Sequence, residues 1–198
     1  VEALGYAHSQ NMIHRDVKPS NILVESGGRY VLIDFGLVHQ EDEGITRSGE
    51  LIGTPSYMSP EQVSRRKVDG RSDVYSLGVT LYEVLTLGRP FQGSSDHEIQ
   101  HRILFDEPTP PRALNPRLSR ELEAVVLKAI EKDPDRRYAS MEELAGDLRR
   151  FLRGEPPSVR PRSGLAMLSR RLQRHRGLLR TAAVLAEEFD LADLAAWE

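Results

Sequence analysis

Four side chains in two short segments carry the chemistry that this sequence offers. His14-Arg15-Asp16-Val17-Lys18-Pro19-Ser20-Asn21 supplies a carboxylate able to accept a proton, an ammonium able to face a phosphate, and a carboxamide. Thirteen residues after Asn21, Asp34-Phe35-Gly36 adds a second carboxylate. The oxygens of Asn21 and Asp34 are of the hard type that holds a divalent cation against phosphate. Transfer of a phosphoryl group asks for little more, because its catalysis consists mostly of orienting a hydroxyl and neutralising charge. Either segment alone has an ordinary reading, Asp16 as a turn residue and Asp34 as a strand-end acid. Both together, in this order, disfavour it.

The elements around these residues must bring them together. Ile22-Leu23-Val24 and Tyr30-Val31-Leu32-Ile33 are short apolar, β-branched runs on either side of Glu25-Ser26-Gly27-Gly28-Arg29. This pattern predicts a hairpin turning at the glycine pair. Asn21 then stands at its entrance and Asp34 at its exit, on the same end of two paired strands.

On these residues the chain resembles a protein kinase. The resemblance implies that Asp16 orients the substrate hydroxyl and accepts its proton, that Lys18 lies by the γ-phosphate of ATP, and that Asn21 and Asp34 hold Mg2+, with Mn2+ as a substitute. Phe35 and Gly36 complete the Asp-Phe-Gly motif. Gly53-Thr54-Pro55-Ser56-Tyr57-Met58-Ser59-Pro60-Glu61 resembles the end of an activation segment, with Ser59-Pro60-Glu61 where many members have Ala-Pro-Glu. Lys18 and Thr54 match the serine/threonine branch, and Thr54 is counted with the catalytic set. Arg15, before Asp16, implies regulation by an activation-loop phosphate, for which Thr46 and Ser48 beside Arg47 are the candidate acceptors. Plain solvated hydroxyls are the alternative for both. In the family Glu61 pairs with a buried arginine far along the chain, and Arg136 stands where that partner is expected; an exposed cation beside acids is the other reading. Asp73 is implied to hydrogen-bond the backbone of the catalytic loop, and a helix-capping role is compatible with that.

After residue 61 the chain reads as helices. Ser72-Asp73 precedes a strongly apolar helix closed by Gly88 and Pro90, apolar on nearly every side and so expected at a domain centre. Leu118-Ser119 opens an amphipathic helix through Ile130, and Ser140-Met141-Glu142-Glu143 is a capping box for another that ends near Leu152-Arg153-Gly154. The expected fold is mainly α with a small β-hairpin, a kinase-like C-terminal lobe over 1–153, followed by a basic juxtamembrane-like segment, 154–180, and an acidic tail, 181–198. Expected location is the cytoplasm, with the parent anchored through a segment outside this sequence.

Composition agrees. The 198 residues are 39% hydrophobic, enough for one core, and 27 basic against 30 acidic residues exclude the global basic field that nucleic acid requires. The absence of cysteine excludes disulfides and thiolate metal sites. From Arg160 to Arg180 there are seven arginines and no acids, but the apolar run that follows is far too short to span a membrane. Two readings of that segment stand open: weak contact with an anionic lipid surface, or a solvated basic helix pairing with the acidic tail.

His97-Glu98-Ile99-Gln100-His101 matches the H-E-x-x-H pattern of zinc proteases, with Glu121 or Glu123 as a third ligand in principle. A polar loop precedes it and Pro108 stops the helix soon after, so an exposed polar face is expected instead. A working kinase also needs a Gly-rich loop over ATP, a strand lysine and a helix glutamate, and none is present in these residues. Val1-Glu2-Ala3-Leu4-Gly5-Tyr6-Ala7-His8 already resembles the helix before the catalytic loop. The expectation is therefore a fragment that is inactive alone, whose parent phosphorylates Ser/Thr hydroxyls of protein substrates and forms a dimer. A noncatalytic interaction module built on the same lobe is the runner-up.

Overall fold

The computed structural model describes residues 1–35 and 55–160. Gly36, Thr46, Ser48 and Thr54, and the basic and acidic stretches from 161 onward, lie outside the described residues. One compact unit runs Val1–Arg160, so the expected boundary at 153 falls inside it.

The chain opens with α1 (Glu2–Ser9), followed by the segment His14–Lys18 and a 3-10 turn at Pro19–Asn21. A two-stranded antiparallel sheet comes next, β1 (Ile22–Val24) and β2 (Tyr30–Leu32), in the register Ile22↔Leu32, Leu23↔Val31, Val24↔Tyr30. Gly28 takes φ +78°, a left-handed backbone that glycine adopts without steric cost, and its N–H closes the turn onto the Glu25 carbonyl at 2.8 Å.

Helices follow: α2 (Pro60–Val63), α3 (Gly70–Thr86), α4 (Asp96–Phe105), α5 (Pro111–Leu114), α6 (Arg120–Ala129) and α7 (Met141–Leu152). α3 is the central one. Its residues 72–80 are all buried, and its chief partner is α6. At Gly78 a β-carbon would come within 2.8 Å of the Ala129 and Ile130 side chains, so glycine is what lets α3 and α6 approach this closely. Val74, Val125, Tyr138, Met141 and Leu144 are fully buried around that contact; each such side chain contributes about 1.5–3 kcal/mol.

Two helix ends differ from expectation. α3 is capped by Asp69, whose carboxylate accepts from the Arg71 N–H, rather than at Ser72-Asp73; Asp73 thus falls inside the first turn and is free to face the loop before it. At the other end Leu87, not Gly88, takes the left-handed position, at φ 58°. The caps at Ser119 and Ser140 lie where the sequence puts them.

α4 carries the H-E-x-x-H residues. Ile99 and Ile103 face the core with Phe91, while His97 and His101 are exposed. Glu98 accepts from the N–H and hydroxyl of Ser94 and from Arg102, and these bonds hold its carboxyl down to about 2. It is committed to the helix start. Among the described residues no group of three or more His, Cys, Asp or Glu side chains is placed to hold a metal. His97→Ala and His101→Ala are each expected to change stability by less than about 0.5 kcal/mol, with no rise in melting temperature on adding zinc; a zinc-dependent rise lost in either variant would restore the metal reading.

Candidate active site

Asp73 organises the loop that carries Asp16. It is fully buried, and its two carboxylate oxygens accept from the backbone N–H groups of His14 and Arg15, each at 2.8 Å. The His8 Nε2, reaching over from α1, lies 2.7 Å from the same carboxylate. Arg15 stands in left-handed backbone at φ 66°, a conformation costing about 1–3 kcal/mol unless its surroundings fix it. They do: Asp73 holds its N–H, and its carbonyl accepts from Gln62 Nε2 at 2.8 Å. Gln62 belongs to the capping box of α2 with Ser59, so α2 is tied directly to the Arg15 backbone.

His14 joins that loop to the hairpin. Fully buried, its Nε2 lies 3.0 Å from the Ile33 carbonyl, its Nδ1 3.3 Å from the Asp16 N–H, and its ring packs against Phe35 with centroids 4.6 Å apart. One tautomer satisfies both contacts, with the hydrogen on Nε2 donating to the carbonyl and Nδ1 accepting.

Asp16, Lys18 and Asn21 converge. Asn21 Nδ2 donates to the Asp16 carbonyl at 2.9 Å and to its carboxylate at 3.2 Å; Lys18 Nζ lies 2.7 Å from Asp16 Oδ2. The Asp16 and Lys18 side chains keep 12% and 20% of their surface, enough for a substrate to reach. With its nitrogen so engaged, the Asn21 amide oxygen has, among the described residues, a 3.4 Å contact from the Ser20 hydroxyl. The Ile33 N–H donates to the Asn21 carbonyl at 2.9 Å, which continues the strand pairing and brings Asp34 to the same end of the hairpin. Asp34 is exposed, at φ 61°.

Glu61 anchors the region below. Its carboxylate receives both terminal nitrogens of Arg137, each at 2.7 Å, and the Ser72 hydroxyl. Arg137 has no exposed side-chain surface and donates also to the carbonyls of Glu131, Lys132 and Arg71, over the Tyr75 ring. Burial pushes the Glu61 carboxyl up, but the hydrogen bonds and charge of Arg137, with Ser72, outweigh that and hold it below the usual carboxylate range. The expected partner, Arg136, is therefore corrected to Arg137. Arg136 ends the 3-10 turn Pro134–Arg136 exposed to solvent, and the extended backbone of Arg137 sends its side chain inward.

Upstream of Glu61, the turn Pro55–Tyr57 is held onto α3. The Ser76 hydroxyl donates to the Tyr57 carbonyl, Arg89 donates to Ser56, and the Tyr57 hydroxyl donates to Glu83. Burial and that carboxylate push Tyr57 up to about 12.

A sequence profile described as the protein kinase domain matches residues 1–147. The chain belongs to the protein kinase family. Its relatives include the serine/threonine-protein kinase PknB of Mycobacterium tuberculosis, 43% identical over 161 residues, which make up 80% of this chain and 26% of that protein. PknB of Mycobacterium leprae is 41% identical over 160 residues, 80% of this chain and 26% of the relative. A probable serine/threonine-protein kinase PknB of Bifidobacterium longum is 36% identical over 184 residues, 90% and 27%. By family it is thus of the bacterial serine/threonine type, and the chain spans about a quarter of the length of these relatives. Among the described residues no helix is long and apolar enough to cross a membrane.

The sequence reading missed His8, Gln62 and Arg137. Gln62 had a signal, since Ser59-Pro60-Glu61-Gln62 is a capping box. Neither His8 nor the choice between adjacent arginines had one.

Proposed function

We propose that residues 1–153 are the large C-terminal lobe of a serine/threonine kinase catalytic domain whose intact parent transfers the γ-phosphate of ATP to Ser/Thr hydroxyls of proteins. The convergence of Lys18 and Asn21 on Asp16 carries the reading. In it, Asp16 orients the attacking hydroxyl and takes its proton, while Lys18 meets the transferring phosphate. Asn21 and Asp34 offer oxygens suited to Mg2+ or Mn2+, and phosphate oxygens would complete the ligand set. A metal held there would neutralise charge on the phosphates.

The Arg15 Nε is buried without a hydrogen-bond partner among the described residues. That supports a reading in which an anion, such as a phosphate on Thr46 or Ser48, meets it.

These 198 residues contain no Gly-rich loop, strand lysine or partner glutamate, so the purified chain is expected to transfer phosphate from labelled ATP at close to background. Robust turnover abolished by Asp16→Asn would overturn the inactivity. A parent that binds protein partners yet turns over no ATP, with or without Asp16, would point to a noncatalytic module.

A further inference from the structure

The chain does not leave the domain where α7 ends. Gly154 takes left-handed backbone, φ 72°, and beyond it Val159 packs, partly buried, against the central cluster that holds Leu144 and Tyr138. The group that holds Ser158 and Val159 is Asp147, on α7 and only 2% exposed. Its carboxylate accepts from the Ser158 N–H at 2.6 Å, the Ser158 hydroxyl at 2.8 Å, the Val159 N–H at 3.3 Å and the Tyr138 hydroxyl at 2.9 Å.

Every one of those donors is neutral. Three of the four come from two consecutive residues, so the buried charge depends on a short peptide for most of its compensation. Ser158 is the one point of this contact that ordinary chemistry can change: its residue is exposed, it is outside any helix, and it follows Pro156-Pro157.

We propose that residues 156–160 are a releasable strap, held by Asp147 and switched by phosphorylation of Ser158. In that step Ser158 Oγ forms a bond to the γ-phosphorus of ATP, the bond from that phosphorus to the β,γ-bridging oxygen breaks, ADP leaves with the electron pair, and the hydroxyl proton passes to the kinase's base. The modification removes one donor and sets a phosphate of about −1.5 to −2 charge against a buried carboxylate. Like charges at that distance in a poorly solvated site expel the strap. Val159 then leaves the cluster it packs against.

Hydrogen–deuterium exchange on the 198-residue chain tests this, with phosphoserine encoded at 158 and with Ser158→Ala and Asp147→Asn alongside. Phosphoserine and Asp147→Asn are expected to speed exchange at Ser158 and Val159 by at least about tenfold while peptides covering 1–35 keep their protection. Ser158→Ala, which keeps both backbone donors, is expected to change it several-fold less. Equal protection in the phosphoserine and unmodified chains would overturn the switch. So would phosphate mapping of the parent from growing cells that finds other phosphosites but none at Ser158. A merely structural strap would open on Asp147→Asn and stay closed with phosphoserine.

Discussion

Replacing Arg137 with alanine is expected to destabilise the domain by about 3–5 kcal/mol, whereas the same change at Arg136 alters stability by less than about 0.5 kcal/mol. The two residues are neighbours of one type, and only their surroundings separate them. Arg137 makes two 2.7 Å bonds to Glu61 with no side-chain surface exposed. Its removal would strand the Glu61 carboxylate in a site where Ser72 is its remaining side-chain donor, and would free the carbonyls of Glu131, Lys132 and Arg71. Urea unfolding of the two variants decides it; equal midpoints would remove Arg137 from the anchor.

The pH dependence has a definite sign. Glu61 is held below its ordinary value of 4.5 in the folded state, so the unfolded chain binds the proton more readily. The stability it contributes is complete above pH about 4.5 and is lost as pH falls from there through the lowered folded value. Arg137→Ala should flatten that part of the stability curve, because the group that lowers Glu61 is gone. Arg136→Ala should leave it as it is.

The same pair shows what a sequence can and cannot reveal. The hairpin was legible because glycine at its turn and β-branched residues in its strands are local signals, and its ends fix where Asn21 and Asp34 stand. The caps at Ser119 and Ser140 were legible for the same reason. What decides between Arg136 and Arg137 is where a three-residue turn ends: Arg136 is its last residue, and the extended backbone of Arg137 turns the next side chain inward, which no spacing rule records. The start of α3 was misplaced by a similar cause. Asp69 and Asp73 are both acceptable caps by residue type, and the choice was made by His14 and Arg15, whose N–H groups sit 58 or more residues away in sequence and claim Asp73. The strap was missed because Asp147 reads locally as one polar residue on an amphipathic helix. Its partners, Tyr138 on one side and Ser158 and Val159 on the other, come from outside the helix, and the helical pattern does not show them.

In the intact parent, Asp16→Asn is expected to lower kcat by about 10²–10⁴ while KM for ATP stays within a few-fold. The substitution keeps the shape and one oxygen, which can still accept from Asn21 Nδ2 and face Lys18. The loop itself rests on other groups: Asp73 holds His14 and Arg15, Gln62 holds the Arg15 carbonyl, and the Asp16 main-chain oxygen keeps its bond from Asn21. Stability should therefore change little, and the loss should fall on the step that needs a proton acceptor. A carboxamide cannot take the hydroxyl proton, nor can it draw the Lys18 ammonium as a carboxylate does. Steady-state kinetics with a protein substrate, beside the melting temperature of the same preparation, separates the outcomes. A kcat loss at unchanged melting temperature supports Asp16 as the base, and unchanged kcat refutes it. A loss that tracks a lowered melting temperature would instead make Asp16 one more support of the loop that Asp73 already holds.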